Sequence, residues 1–252
     1  MLSIIPDIFK KLLRKCIILP DNTKSFEIQS AMRKIVLVSL AVMALSLCGC
    51  EKIETEYQWV DLGLSVKWAK VNVGSTTISG YGDYFAWGEV SAKERYTTEN
   101  YRWYDDDGHI TKYCSSTSYD DADFLTELQP EDDVATLEWG NGWRMPTYEE
   151  LMELVRNCDW TFSSIGGVKG YMARSKIPGY EKEWIFFPAA GFSDADGSYP
   201  GYEGYYWTST NCGGSNSRQS DAFTFNPSKI TTIGYGDGMA RIVGASIRPV
   251  HK

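Results

Sequence analysis

The chain has 252 residues, of which 43% are hydrophobic, and a formal net charge of −8 at pH 7. Residues 1–49 contain seven Lys or Arg and three Asp or Glu, which leaves a charge of −12 on residues 50–252. An acidic chain lacks the basic surface that nucleic-acid-binding proteins need, so we predict no nucleic-acid partner. The roughly 200 residues after position 50 are enough for one domain with a sizeable core.

Residues 32–49 have the organisation of a secretory signal peptide. Two positive charges precede an uninterrupted apolar run from Ile35 to Leu47, and the run ends on Leu47-Cys48-Gly49-Cys50, which looks like a bacterial lipobox. The run is shorter than the about 20 residues that span a bilayer, so a single-pass anchor or a core helix is the less favoured alternative. We predict that Cys50 is lipidated and holds the protein at the cell envelope, in the outer membrane of a Gram-negative bacterium and exposed at its surface.

The predicted signal peptide also determines how we interpret the residues on either side of it. A secretory signal begins at the start methionine, so we predict that Met32 is the true start and that residues 1–31 are an upstream extension. The alternative is that the basic amphipathic stretch Ile8–Lys15 forms a cytoplasmic helix or a helix at a membrane surface. Residues 50–56 are predicted to be a lipidated tether, and residues 57–252 a single domain.

The first half of this domain has short strand signals and one long polar stretch. Residues 57–64 favour a strand and a turn, and Val66–Val73 alternates with the period of a half-buried strand. The segment 84–89 is short and apolar. Residues 91–133 are polar, aromatic and irregular, and we expect them to lie outside the core.

One helix is predicted after Pro146. Thr147 and Glu150 have the spacing of a capping box, and Leu151, Leu154 and Cys158 belong to an apolar stripe with helical spacing. The segments 184–191, 205–210, 222–225 and 245–250 then read as short strands. One main helix among short antiparallel strands with long loops predicts an α+β domain.

Several blocks of residues, in order, resemble a known family. They are Asp61–Ala69, Tyr81–Glu89, Pro130–Asp133, Trp139–Thr147, Phe187–Gly191, Gly204–Ser209 and Ser246–Val250. Together they look like the Fibrobacter succinogenes major paralogous domain and its relatives among Bacteroides-type lipoproteins. The resemblance runs from about residue 57 to 250. It implies a C-type-lectin-like fold and brings no established activity or ligand.

The lectin-like fold is shared with formylglycine-generating enzymes, which depend on a closely spaced cysteine pair that binds copper. Here Cys114, Cys158 and Cys212 are far apart in sequence, and one pair of them can form a disulfide in an oxidising envelope. We interpret Cys158 as a small buried hydrophobe. His109 and His251, the only histidines, are expected in an exposed loop and tail. We therefore predict no catalytic residue and no enzymatic role.

Two acidic segments are candidate calcium sites. Asp105-Asp106-Asp107-Gly108 resembles part of an EF-hand loop but is out of register, and Asp194-Ala195-Asp196-Gly197 offers oxygen ligands beside a glycine. Acidic turns use the same residues, and we favour turns at both places. The calcium-binding triplet of sugar-binding C-type lectins is absent from the sequence. We predict no metal and no cofactor.

Aromatic residues in Gly- and Asp-rich loops are the remaining candidates. We expect Trp68, Trp87, Trp143 and Trp207 to fill the core. Tyrosine and tryptophan rings with polar atoms suit the recognition of sugars or proteins. The candidate ligand-binding residues are Trp103, Tyr104, Asp194, Asp196, Tyr199 and Tyr202. The sequence thus predicts a binding or adhesion module for extracellular glycans or proteins, and the alternative is a non-catalytic accessory subunit of a surface assembly.

Overall fold

A computed structural model describes residues 58–114, 122–140, 142–212, 218–233 and 238–252. The chain divides into two units, Met1–Glu56 and Tyr57–Lys252, and all described residues belong to the second. The predicted extension, signal peptide, Cys50 and tether therefore lie outside the described residues. No helix in the described part of the chain is long and apolar enough to cross a membrane.

Short strands form most of the regular structure of the described residues. They are β1 (Trp59–Val60), β2 (Lys67–Ala69), β3 (Trp143–Arg144), β4 (Cys158–Ile165), β5 (Val168–Ser175), β6 (Trp184–Pro188), β7 (Gly204–Asn211), β8 (Gln219–Asn226), β9 (Lys229–Ile233), β10 (Met239–Ala240) and β11 (Val250–His251).

These strands form three antiparallel sheets. The first has the order β1-β2-β11-β3 and joins the two ends of the domain, because Val250 lies opposite both Trp68 and Arg144. The second has the order β4-β5-β6. In the third, β8 pairs with β7 on one side and with β9 and β10 on the other. Antiparallel sheets with two helices among the described residues agree with the predicted α+β class.

The predicted helix is confirmed as α2 (Tyr148–Asn157), after a shorter α1 (Val134–Trp139) that the sequence analysis did not predict. Thr147 Oγ1 accepts a hydrogen bond from the Glu150 N–H at 3.2 Å, and Glu150 Oε2 accepts one from the Thr147 N–H at 2.9 Å. This is the predicted capping box, which satisfies two N–H groups at the helix start.

The prediction of a strand over residues 245–250 is wrong for all of these residues except Val250. Only Val250 and His251 form a strand there, whereas Ala245 and Ser246 make isolated bridges to Phe85 and Tyr206. Pro249 has no N–H to continue a ladder of hydrogen bonds, which explains the short strand.

The core consists of two clusters of buried side chains. One surrounds Trp87, Trp143 and Trp207, and the other surrounds Trp68 and Phe187. The expectation that four tryptophans fill the core is therefore confirmed. Aromatic rings give most of the bulk, as a fold with short strands and few helices requires.

The expectation that residues 91–133 lie outside the core is wrong. The segment is irregular, as predicted, but it buries Tyr96, Tyr101, Trp103 and Tyr113. Their polar atoms reach backbone carbonyls or a carboxylate. Tyr101, for example, donates to the Trp87 carbonyl at 2.9 Å. Burial of aromatic side chains here depends on these long-range hydrogen bonds rather than on a periodic pattern.

Cys114, Cys158 and Cys212 are all buried. Cys158 lies in the cluster around Trp68, and burial raises its pKa to about 12. It therefore packs as a small hydrophobe, as expected.

Candidate functional site

The loop between β6 and β7 is held in one conformation by backbone hydrogen bonds. The Gly191 N–H donates to the Glu203 carbonyl at 2.7 Å, and the Tyr199 N–H donates to the Phe192 carbonyl at 2.9 Å. Gly191 has a φ of +66°, and a Cβ atom there would lie 1.9 Å from the Tyr199 carbonyl oxygen. Only glycine permits this close approach. The loop is therefore a fixed support for the side chains it carries.

Four aromatic rings of this loop and the start of β7 form what we name the tyrosine surface: Phe192, Tyr199, Tyr202 and Tyr205. Phe192 contacts Tyr199 and Tyr205, with ring centroids 5.0 and 5.2 Å away. Tyr199 is 47% exposed and Tyr202 is 62% exposed, although both are large rings. Rings that remain this open on an ordered loop are available for contact with a ligand.

Carboxylates border the tyrosine surface. Partial desolvation, together with the negative charges of Asp194 and Asp196, raises the pKa of Tyr199. The Tyr205 hydroxyl donates to Glu203 Oε2 at 2.7 Å, and burial together with this bond raises its pKa to about 12. Both hydroxyls are thus neutral at physiological pH. The surface combines flat rings, hydroxyl groups and carboxylates, which can contact sugar C–H faces and hydroxyls or a polar protein surface.

Trp103 does not belong to such a surface. It is only 9% exposed, and its Nε1 donates to the Gly88 carbonyl at 3.0 Å. Gly88 has a φ of +74°, and a Cβ there would approach Trp103 Nε1 to 2.8 Å. The prediction of Trp103 as a ligand contact is therefore corrected, since its ring is part of the core. Tyr104 is half-buried between Tyr101 and the Arg218 guanidinium.

Both acidic segments form turns that satisfy their own carboxylates. Asp105 Oδ1 accepts from the Asp107 and His109 N–H groups, at 3.0 and 2.7 Å. Asp194 Oδ1 accepts from the Asp196 N–H at 2.8 Å, and the Asp194 N–H donates to the Gly197 carbonyl. These are the turns that we favoured over calcium sites. Within the described ranges, no group of three or more His, Cys, Asp or Glu side chains is arranged to hold a metal ion.

The two histidines are placed differently from each other. His109 is exposed, as expected, with Nδ1 3.2 Å from Asp105 Oδ2. His251 is not an exposed tail residue, because it lies in β11 and its ring packs edge-on against Trp143. Pairing of β11 between β2 and β3 draws the end of the chain into the sheet.

Sequence reasoning missed a groove between β1 and β6. Trp59 and Trp184 border it, together with Lys70 and Glu183. Trp59 is 43% exposed and lies beneath the Lys67 ammonium group, 4.0 Å from the ring centroid. The signal for this groove in the sequence is Trp59, an aromatic residue at the start of the domain.

No protein-family model, curated protein or solved structure shows significant similarity to this chain.

Proposed function

We propose that this protein is an envelope-anchored lipoprotein whose domain binds extracellular glycans or proteins through the tyrosine surface. The observation that carries the proposal is the pair of open rings, Tyr199 and Tyr202, on a loop fixed by hydrogen bonds. An ordered loop loses little conformational entropy when a ligand binds. Asp194, Asp196 and Glu203 add acceptors around these rings.

Lipidation at Cys50 and membership of the Fibrobacter-type family are parts of the same proposal. The lipobox-like sequence supports an outer-membrane anchor that exposes the domain at the surface. The seven family-like blocks support a C-type-lectin-like fold, and the antiparallel sheets are compatible with it. Incorporation of labelled palmitate tests the anchor. The wild-type chain should be labelled, the Cys50→Ser variant should not, and equal labelling of the two would contradict the assignment.

We propose binding rather than catalysis. Cys158 packs in the core, His109 Nδ1 lies 3.2 Å from Asp105 Oδ2, and the His251 ring packs against Trp143 and lies beside the Lys252 carbonyl. These contacts supply structural roles for the residues that an enzyme of this size would be expected to use.

A direct test uses the labelled full-length lipoprotein in detergent on panels of immobilised glycans and extracellular proteins. The double variant Tyr199→Ala, Tyr202→Ala should lose most of the signal, because it removes both open rings. Phe124→Ala is the matched control, since Phe124 is also an exposed ring, 59% open, but lies outside the tyrosine surface. Equal binding by the wild type and the double variant would contradict the proposed site.

An accessory role in a surface assembly is the second candidate function. The groove between β1 and β6 favours it, because each of these strands lies at the edge of its sheet. An edge strand has backbone groups available for another chain.

A further inference from the structure

The groove between β1 and β6 is made of residues other than those of the tyrosine surface. One cavity of about 270 Å³ is lined by Val60, Lys70, Ile78, Glu183, Trp184 and Ile185, among others. A second cavity of about 370 Å³ shares Val60, Lys70 and Glu183 with the first and extends to Trp59. The two cavities therefore form one groove. Its wall combines apolar side chains with one positive side chain, Lys70, and two negative ones, Asp61 and Glu183.

Hydrogen bonds determine which backbone groups of β1 face away from its sheet. In an antiparallel pair, the N–H and C=O of one residue both point toward the partner strand, and those of the next residue both point away. The Gln58 carbonyl accepts from the Lys70 N–H at 3.0 Å, so Gln58 and Val60 face β2. The N–H and C=O of Trp59 consequently lie on the free edge of β1.

The same argument applies to β6. The Ser175 N–H donates to the Glu183 carbonyl at 3.0 Å, so Glu183 faces β5, and Trp184 and Phe186 face the free edge. The Phe186 carbonyl on this edge accepts from Arg248 Nη2 at 2.8 Å. Within the described part of the chain, no backbone hydrogen bond reaches Trp184 on that edge. Trp184 thus offers one donor and one acceptor.

Arg248 shows what this free edge faces. Its Nη1 donates to the carbonyls of Ala69 and Lys70, at 3.1 and 3.3 Å, while its Nη2 holds Phe186. One guanidinium therefore bridges the free edge of β6 and the end of β2. Trp184 lies two residues before Phe186 on the same edge. Beside Phe186 the space between the sheets is occupied by Arg248, whereas beside Trp184 it is the open groove.

We infer that this groove binds an extended segment of a partner protein, which adds a strand between β1 and β6. The backbone of the segment bonds to the free N–H and C=O groups of Trp184 and Trp59. Such strand addition obtains affinity from the main chain and specificity from pockets for alternate side chains. One apolar side chain of the segment enters the cavity beside Val60 and Ile78.

The charges of the groove define the flanking residues of the segment. Side chains two positions apart in an extended chain point to the same face. Because Lys70 and the carboxylates of Asp61 and Glu183 line the groove, we expect an acidic residue two positions from the apolar one to pair with Lys70. A basic residue two positions away on the other side pairs with a carboxylate. The partner sequence therefore has the pattern acidic-x-apolar-x-basic, in one of the two directions. This inference goes beyond the proposed glycan or protein contact at the tyrosine surface and does not depend on it.

The experiment pans a displayed library of random 12-residue peptides on the full-length lipoprotein in detergent. Synthetic copies of enriched peptides are then measured by fluorescence polarisation. We expect the acidic-x-apolar-x-basic pattern to be enriched. N-methylation of the peptide N–H that pairs with the Trp184 carbonyl should weaken binding about fivefold, which corresponds to about 1 kcal/mol for one lost hydrogen bond. This modification leaves the protein unchanged, so folding does not affect the result.

Protein variants locate the site. Trp184→Pro removes the edge N–H, whereas Trp184→Ala keeps it, so binding should fall further in the proline variant. Lys70→Glu should reverse the preference at the acidic position of the peptide. Leu137→Ala, at an exposed position of α1, and the Tyr199→Ala, Tyr202→Ala variant should both bind normally.

Three results would overturn the inference. The first is a selection that enriches no pattern. The second is equal affinity of the N-methylated and unmodified forms of a peptide. The third is displacement of a bound peptide from the groove by a glycan. Failure of the tyrosine-surface variant to bind glycans does not affect any of these readouts, so the two proposals fail separately.

Discussion

Arg241 and Arg248 are wholly buried, and each makes its hydrogen bonds to neutral groups. Arg248 lies over the Phe187 ring and bonds to Asn72 Oδ1, to the Ala69 carbonyl at the end of β2 and to the Phe186 carbonyl in the middle of β6. Burial lowers the pKa of Arg248 to about 10, so it remains charged at pH 7. A single side chain thereby links two sheets beside the groove.

Replacing Arg248 should strongly destabilise the domain. Arg248→Met leaves the carbonyls of Ala69 and Phe186 buried without their donor, and we expect a loss of roughly 3 kcal/mol in the free energy of unfolding. Urea unfolding of the wild type and the variant measures it. Arg174→Met is the control, because Arg174 is exposed on β5, and it should change stability by less than about 0.5 kcal/mol. Similar losses for the two variants would show that Arg248 does not have this role.

At the scale of elements, α2 begins at a capping box that a salt bridge reinforces. Arg144 Nη1 donates to Glu150 Oε2 at 2.8 Å, next to the cap formed with Thr147. Burial raises the pKa of Glu150, but the bonds from Arg144 and Thr147 outweigh this effect, so the pKa is lowered overall. The stabilisation from Glu150 is therefore present above its ordinary pKa and decreases as the pH falls through the lowered value.

Removal of the cap should have a moderate effect. Thr147→Ala deletes the acceptor for the Glu150 N–H, and we expect the free energy of unfolding to fall by about 1 kcal/mol. Thr76→Ala, in an exposed loop, is the matched control. Chemical denaturation of both variants gives the difference, and a Thr147→Ala protein as stable as the control would refute the role of the cap.

Some elements could be predicted from the sequence and others could not. The capping box and the apolar stripe identified α2, and the aromatic runs identified β6, β7 and β8. The β4–β5 hairpin was missed, although the pair Gly166-Gly167 in the sequence is a turn signal. In the structure both glycines have positive φ values and form the turn between the two strands. Tyr199 and Tyr202 were correctly placed in an open loop.

Trp103 lies in a loop of similar composition, and only the structure shows that Gly88 brings a carbonyl to its Nε1. The groove likewise depends on two strand edges more than 100 residues apart, at Trp59 and Trp184. Long-range contacts of this kind have no local signal in the sequence.

At the scale of the whole molecule, buried or half-buried tyrosines connect many segments. Their hydroxyls donate to distant acceptors: Tyr84 to the Ala190 carbonyl, Tyr101 to the Trp87 carbonyl, Tyr113 to Asp132 and Tyr206 to the Pro188 carbonyl. Burial raises the pKa of each, to about 12 for Tyr84. All of these bonds require a neutral phenol.

The domain should therefore lose stability in alkali. An unfolded tyrosine ionises near pH 10, whereas these four bind their protons to a higher pH, so the folded state holds more protons than the unfolded state above pH 10. Stability then falls with pH, by up to about 1.4 kcal/mol per pH unit for each tyrosine. Urea unfolding between pH 9 and 12, with phenolate absorbance as the monitor, measures this effect. A free energy of unfolding that stays constant over that range would contradict the structural role given to these four tyrosine hydroxyls.

The measurement that tests the proposed function most directly is thermal unfolding of the full-length lipoprotein against a glycan panel, with calcium and with chelator. Ligand binding raises the free energy of unfolding by RT ln(1 + [L]/Kd), or about 2.7 kcal/mol at 100 Kd, so even a weak ligand is detected at high concentration. We predict that at least one glycan raises the midpoint, with chelator making no difference, and that the Tyr199→Ala, Tyr202→Ala variant does not respond. A midpoint unchanged by every glycan would contradict glycan binding and leave a protein as the partner, and a shift that persists in the double variant would contradict the tyrosine surface as the site.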